Sequence, residues 1–138
     1  MTGPARAGAL IYARHLARLA AFYQQLLGMQ LLHGNAEHQV LANADFQLIV
    51  HAIPPHLAAN VHIDTPPQPR SEQAIKLFFT VPSLADAAQL IAAQGGALYR
   101  ERYQGPGFTV CNGHDPEGNI FHLRENHAAQ ASQEPTCN

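Results

Sequence analysis

The sequence predicts an α+β protein built from two βαβββ modules in one chain, their sheets curved around a concave cavity. Three observations predict it. First, an internal repeat runs without a gap: Ile11 through Leu31 overlays Phe79 through Tyr99, with Leu16 on Leu84, Ala20 on Ala88 and Gly28 on Gly96. Second, each half holds one helix with apolar residues on a single face, closed by glycine. Third, short alternating segments separated by turn residues follow each helix. A helix lying across a four-stranded sheet buries one sheet face and leaves the other open, so two halves can pair their open faces into a common concave surface.

In chain order, 9–13 reads as a strand and 15–27 as a helix. Leu16, Leu19, Ala20, Tyr23, Leu26 and Leu27 recur at three and four residues, as one buried helical face requires. Gly28 stops the helix, since glycine accepts the left-handed C-cap conformation without strain. Strands are expected at 29–33, 38–41 and 46–51, with Asn and Asp at the breaks. From 52 to 74 the chain reads as a connector, because Pro54, Pro55, Pro66, Pro67 and Pro69 bar a helix across most of it. Asn60–Val61–His62–Ile63 is extended, as an edge strand. The opening order then returns: strand 75–81, helix 83–94 started by Pro82 or Ser83 and ended by Gly95–Gly96, and strands 97–102, 108–112 and 119–125. This gives one domain over 1–125, with a first module at 8–51, the connector at 52–74, a second module at 75–125, and a polar, frayed tail at 126–138.

Composition narrows the function. The chain has 138 residues, one domain's worth, and 13% of them are charged, about half the usual share. A net charge of −2 without clustered Lys and Arg argues against nucleic acid as a partner. No basic amphipathic helix points to a membrane surface, and the first apolar run is broken by Tyr12, Arg14 and His15, unlike a signal peptide. Cys111 in a strand and Cys137 in the tail do not suggest a structural disulfide, so a reduced, cytoplasmic setting is expected.

Two local motifs accompany the repeat. His15–Leu16–Ala17–Arg18 leads to Phe22–Tyr23 and Leu26–Leu27–Gly28, and Asp115–Pro116–Glu117–Gly118–Asn119 precedes the last strand. Over residues 8–125 this arrangement resembles the vicinal-oxygen-chelate superfamily, which includes glyoxalases, extradiol dioxygenases and bleomycin-binding proteins. The resemblance implies a homodimer, and in metal-binding members one ligand on each of four strands facing the cavity.

Alternation sorts the faces independently. Leu77, Phe79 and Val81 form one apolar face under the helix, leaving Lys76, Phe78 and Thr80 for the cavity. Phe121 and Leu123 pack inward, so His122 and Arg124 face the cavity. Ala9, Ile11 and Ala13 take the helix side, sending Gly8, Leu10, Tyr12 and Arg14 the other way. Gln47, Ile49 and His51 are assigned to the cavity opposite Phe46, Leu48 and Val50. Carried over from the resemblance, the ligand places are Gly8, Gln47, Lys76 and His122. That set holds one good ligand where catalytic divalent metals need three or more His or carboxylate groups, so no metal and no cofactor is expected.

The expected ligand-binding residues are Tyr12, Gln47, His51, Lys76, Phe78, His122 and Arg124, around an apolar cavity suited to a small aromatic or acidic molecule. Lys76 stands in for the metal's positive charge, and His122 donates a hydrogen bond or moves a proton; these two are the catalytic candidates. The bland alternatives are a Lys76 that extends to solvent, a Tyr12 that only packs, and an Arg124 that pairs with Glu125 or Glu101. Of the other histidines, His15 starts a helix, His33 and His38 flank a turn, His56 and His62 lie in the connector, and His114 lies in the loop before Asp115. Arg70 covers the cavity mouth or merely keeps the connector soluble, Gly105–Pro106–Gly107 is a hairpin tip able to act as a lid, and Cys111 is a small core residue with no adjacent base to activate it.

Three functions compete: a binding protein that sequesters a small molecule, a metal-independent enzyme using Lys76 and His122, and a metal-dependent lyase or dioxygenase with displaced ligands. The sequence leans away from metal-dependent glyoxalase or dioxygenase chemistry.

Overall fold

A computed structural model describes residues 5–127. Of the predicted tail, Asn126 and His127 fall within that range; 128–138, with Cys137, lie outside the described residues. The chain divides after Gln68 into two compact units.

The first unit runs β1 (Gly8–Ala13), α1 (Leu16–Leu27), β2 (Gln30–Gly34), β3 (His38–Ala42) and β4 (Gln47–Ala52), with sheet order β1-β4-β3-β2. β1 and β4 are parallel; the other pairs are antiparallel. Helix α1 packs on β3 and β4, where Leu19, Ala20, Phe22 and Tyr23 are buried with Leu41, Leu48 and Val50. Each such large apolar side chain contributes roughly 1.5–3 kcal/mol on full burial. Gly28 closes α1 at φ 62°, in the left-handed region, with its N–H on Gln24 O. Asparagines set both hairpins: Asn35 Oδ1 accepts from the N–H groups of Glu37 and His38, and Asn43 Oδ1 from those of Asp45 and Phe46.

The second unit repeats this plan with β5 (Leu77–Thr80), α3 (Leu84–Ala93), β6 (Ala97–Leu98), β7 (Tyr103–Gly105), β8 (Phe108–His114) and β9 (Ile120–Asn126), in the order β5-β9-β8-β6 with β7 also on β8. Ser83 caps α3: its Oγ accepts from Asp86 N–H at 3.0 Å. Glu125 Oε1 accepts from Leu84 N–H at 2.7 Å, a negative charge at the positive end of the helix. The turn before β9 is held by buried Asp115. Its carboxylate accepts from Glu117 N (2.8 Å), Asn119 N (3.1 Å) and Asn119 Nδ2 (2.8 Å).

Four expectations change. The connector is divided between the units and contains a single helical turn, α2 (Pro55–Ala58), begun by proline at a position whose missing N–H has no helical partner to lose. Residues 60–63 are not a strand; Val61 O instead accepts from Arg14 Nε at 3.1 Å. The strand expected over 97–102 is interrupted after Leu98, where Arg102 Nη1 folds back onto Tyr99 O, Arg100 O and Cys111 Sγ. His114 is no loop residue: it ends β8, buried, with Nδ1 on Asp115 O at 2.9 Å. Among the described residues no helix is long and apolar enough to cross a membrane.

Candidate functional site

Period-two alternation decides what the second sheet presents away from α3. Phe121 and Leu123 are buried at 1% and 0% exposure, whereas Phe78 is 52% exposed and His122 and Arg124 are half-buried. β5 and β9 are parallel, with Phe78 level with His122 and Thr80 level with Arg124. The His122 ring stacks on Phe78 at 5.3 Å between centroids and 26° between planes. The Arg124 guanidinium lies over Phe78 at 3.9 Å and over Phe108 at 4.4 Å, clasped by two aromatic faces. Its Nε donates to His122 Nε2 at 3.4 Å, which requires that nitrogen to be unprotonated. Lys76, just ahead of β5 and exposed, donates from Nζ to Asn112 Oδ1 at 3.3 Å, and Asn112 is level with His122.

The electrostatics follow. Among the described residues neither Lys76 nor Arg124 is paired with a carboxylate. Glu125, one of the expected partners of Arg124, is spent on the start of α3; the guanidinium rests on aromatic rings instead. His122 is pushed below the usual imidazole range by burial first, then by the Arg124 and Lys76 charges. The face therefore carries two fixed cations around a neutral imidazole on an aromatic floor. Phe108 and Asn112 were not foreseen; they belong to β8, and only the β8–β9 register brings them beside Arg124 and His122.

On the first sheet the corresponding face holds a row of rings. Tyr12 meets His51 edge-on at 5.6 Å, His51 stacks on His38 at 6.0 Å, and His38 meets His33 edge-on at 5.8 Å. The bond from Ala52 N to Glu37 O (2.8 Å) makes 37 and 52 the hydrogen-bonded pair, so His38 and His51 form the adjacent non-bonded pair, where side chains sit closest. His51 Nδ1 donates to Ala52 O at 2.8 Å. Tyr12 at 57% and Leu10 at 46% are exposed on this side. Gln47 is level with Gly8, and Arg14 is drawn off to Val61 O. His33 and His38 do flank a turn, but they are also ring neighbours across it.

The four places implied by the family resemblance do not fit a divalent ion. Lys76 is a cation, Gln47 offers one neutral oxygen, and Gly8 has no room for a side chain: a Cβ there would meet Gln47 O at 2.4 Å. They are not equivalent rows either, since Gln47 is level with Gly8 whereas His122 is level with Phe78, two residues beyond Lys76. Among the described residues no three His, Cys, Asp or Glu side chains are grouped to hold a metal.

Other candidates separate from these faces. Arg70 is tied to the turn before β9 through N–H to Gly118 O (2.8 Å) and Nε to Glu117 O (3.2 Å). A recess of about 460 Å³ lined by Pro69, Arg70, Ser71, Glu72 and Gln73 contains none of Lys76, Phe78, His122 and Arg124. Exposed His62 pairs with Asp64 at 3.1 Å. Cys111 is fully buried, and a basic residue does reach it: the Arg102 guanidinium, nine residues back, donates to Sγ at 2.7 Å. Burial nevertheless outweighs that charge and holds the thiol above its usual range, so it is not an activated nucleophile.

A family model described as a glyoxalase-like domain matches residues 9–124. Among solved structures, a glyoxalase/bleomycin resistance protein/dioxygenase family enzyme from Burkholderia phytofirmans PsJN aligns with TM-score 0.64 and 19% identity, over 89% of this chain and 99% of that one. A bleomycin resistance determinant encoded on transposon Tn5 gives 0.58 and 21%, over 89% and 98%. A bleomycin-binding protein complexed with bleomycin gives 0.56 and 21%, over 91% and 99%. At these identities the likeness is one of fold. Among curated proteins the sequence finds no match.

Proposed function

The chain belongs to the glyoxalase-like domain family of the vicinal-oxygen-chelate superfamily, and we propose that it binds a small aromatic acid on its open sheet faces without a resident metal ion. One observation carries the reading: Arg124 lies over Phe78, which stacks with His122, and Lys76 reaches Asn112 level with His122, neither cation having a carboxylate partner among the described residues. A carboxylate would neutralise the cations, and its ring would lie on the aromatic floor. The fold likeness to a protein complexed with bleomycin supports small-molecule binding in general. On the first unit, Tyr12, Gln47 and His51 are proposed separately as ligand-contacting residues of its own sheet face, with His38 and His33 extending that ring row.

A second reading has its own support. His122 is held neutral beside two cations, so it can accept a proton from a bound acid whose conjugate base Lys76 and Arg124 would stabilise. Metal-independent proton transfer is therefore the alternative to simple sequestration. We propose further that 1–125 acts as one domain, that the protein works as a homodimer, and that it resides in the cytoplasm, in keeping with the free Cys111 thiol.

Isothermal titration with benzoate, phenylacetate and benzyl alcohol, alongside metal analysis of the purified protein, tests the reading. The acids bind and weaken with added salt, benzyl alcohol does not bind, and chelation changes nothing. Equal binding of the neutral alcohol, or loss of binding on removal of a stoichiometric metal, would refute it. Sedimentation analysis checks the dimer.

A further inference from the structure

We propose that Gln73 is the positioning residue of the Lys76–His122 face, its side-chain amide standing in for a missing piece of β5. The inference rests on the acid-binding reading and adds the residue that aligns the site. β9 begins at Ile120, but β5 begins only at Leu77, level with Phe121. Ile120 cannot turn to β8 for its backbone bonds. Asp115 N donates to Asn119 O, so the next rung, His114 with Ile120, is a non-hydrogen-bonded pair, and the N–H and C=O of Ile120 point to the β5 side. β5 reaches the C=O through Leu77 N–H, as the Leu77–Phe121 pairing requires, but it ends too soon to meet the N–H.

Gln73 fills the gap. Its Oε1 accepts from Ile120 N–H at 2.9 Å, the bond a longer β5 would make, and its Nε2 donates at 2.7 Å to Ile120 O beside the Leu77 N–H. The second proton of the same amide goes to Ile75 O at 2.6 Å. One planar group thus ties the residue before Lys76 to the residue two before His122. An unsatisfied amide in the middle of a sheet is costly, so all three bonds favour one rotamer. Arg70 reinforces the tie, bonded to Gly118 O and Glu117 O on the same turn. Lys76 is exposed; this amide holds the backbone before it against Ile120, from where Nζ reaches Asn112.

The test is a double-mutant cycle on benzoate affinity using Gln73→Met, Lys76→Met and the pair. Lys76→Met weakens binding about tenfold, the loss of one charge-assisted hydrogen bond. Gln73→Met alone weakens it several-fold, and in the Lys76→Met background it has almost no further effect. Ile91→Val, a core change in α3, lowers stability but leaves affinity unchanged, which separates positioning from general loosening. Should Gln73→Met fail to fold, Gln73→Glu keeps an acceptor for Ile120 N–H, loses both donors, and shows the same non-additivity in weaker form. Full additivity, or unchanged affinity in the Gln73 variants, overturns the role of Gln73 while leaving the acid site standing. An unaltered benzoate affinity in Lys76→Met, or no binding to the unmodified protein, overturns the acid site and this inference with it.

Discussion

Phe78 and Phe121 sit on neighbouring strands of one sheet and on opposite faces, so truncating each to alanine measures what the two faces are for. Phe121, at 1% exposure, is core, and its removal deletes a whole ring from close-packed surroundings. The expected cost is about 3–5 kcal/mol. Phe78, at 52%, already gives half its surface to water. What it loses is the cation–π contact with Arg124 at 3.9 Å, about 0.5–1 kcal/mol at an exposed site, and the stack on His122, about 0.5–1 kcal/mol. The sum is about 1–2 kcal/mol. For a chain of 138 residues each kcal/mol moves Tm by about 4 °C, so Phe78→Ala falls by about 4–8 °C and Phe121→Ala by more than about 12 °C. Urea unfolding followed by circular dichroism gives the free energies directly, with an unchanged m-value as the check on both variants. Benzoate affinity should drop in Phe78→Ala despite its mild stability loss. Equal costs for the two truncations, or a Phe78→Ala protein that binds normally, would refute the face assignment.

Three other outcomes follow. Asp115→Ala removes a buried carboxylate that accepts three hydrogen bonds and leaves its donors unmet, so it should cost about 3–5 kcal/mol in urea unfolding, whereas Asp115→Asn should cost far less. His122 has a depressed folded-state pKa: its contribution to stability is complete above about pH 6.5, the ordinary imidazole value, and is lost as pH falls through the lower folded value, because the unfolded chain binds the proton first. Stability measured from pH 7.5 to 4.5 should therefore fall less steeply in His122→Gln than in the unmodified protein, and identical profiles would contradict the assignment. Cys111 should react with iodoacetamide at a rate set by unfolding, since burial shields the thiol and raises its pKa; rapid labelling of the native protein, traced to Cys111 by mass spectrometry, would contradict this.

Much of the fold was legible because its signals are periodic. Leu19, Ala20, Tyr23 and Leu26 recur at helical spacing and are buried as such, and Leu48 and Val50 alternate with Gln47, Ile49 and His51 as one buried strand face requires. Gly28 and Ser83 announced helix ends, the first through its left-handed backbone and the second through its capping hydroxyl. Cross-strand neighbours carry no such signal. That Phe108 shares Arg124 with Phe78 depends on the β8–β9 register, and the His33–His38 contact depends on an irregularity between Leu31 and His33. Gln73 was hidden for a different reason: a polar residue in a proline-rich stretch looks like any solvated linker until its amide is seen completing a sheet. The break after Leu98 was hidden likewise, because Arg102 reaches a thiol nine residues away.

The most direct test is a crystal structure of the protein with the tightest-binding aromatic acid from the titrations. It should show the carboxylate within hydrogen-bond distance of Lys76 Nζ and the Arg124 guanidinium, with the ligand ring against Phe78. A divalent ion held by three or more side chains at that position, or the acid bound away from these residues, would contradict the account.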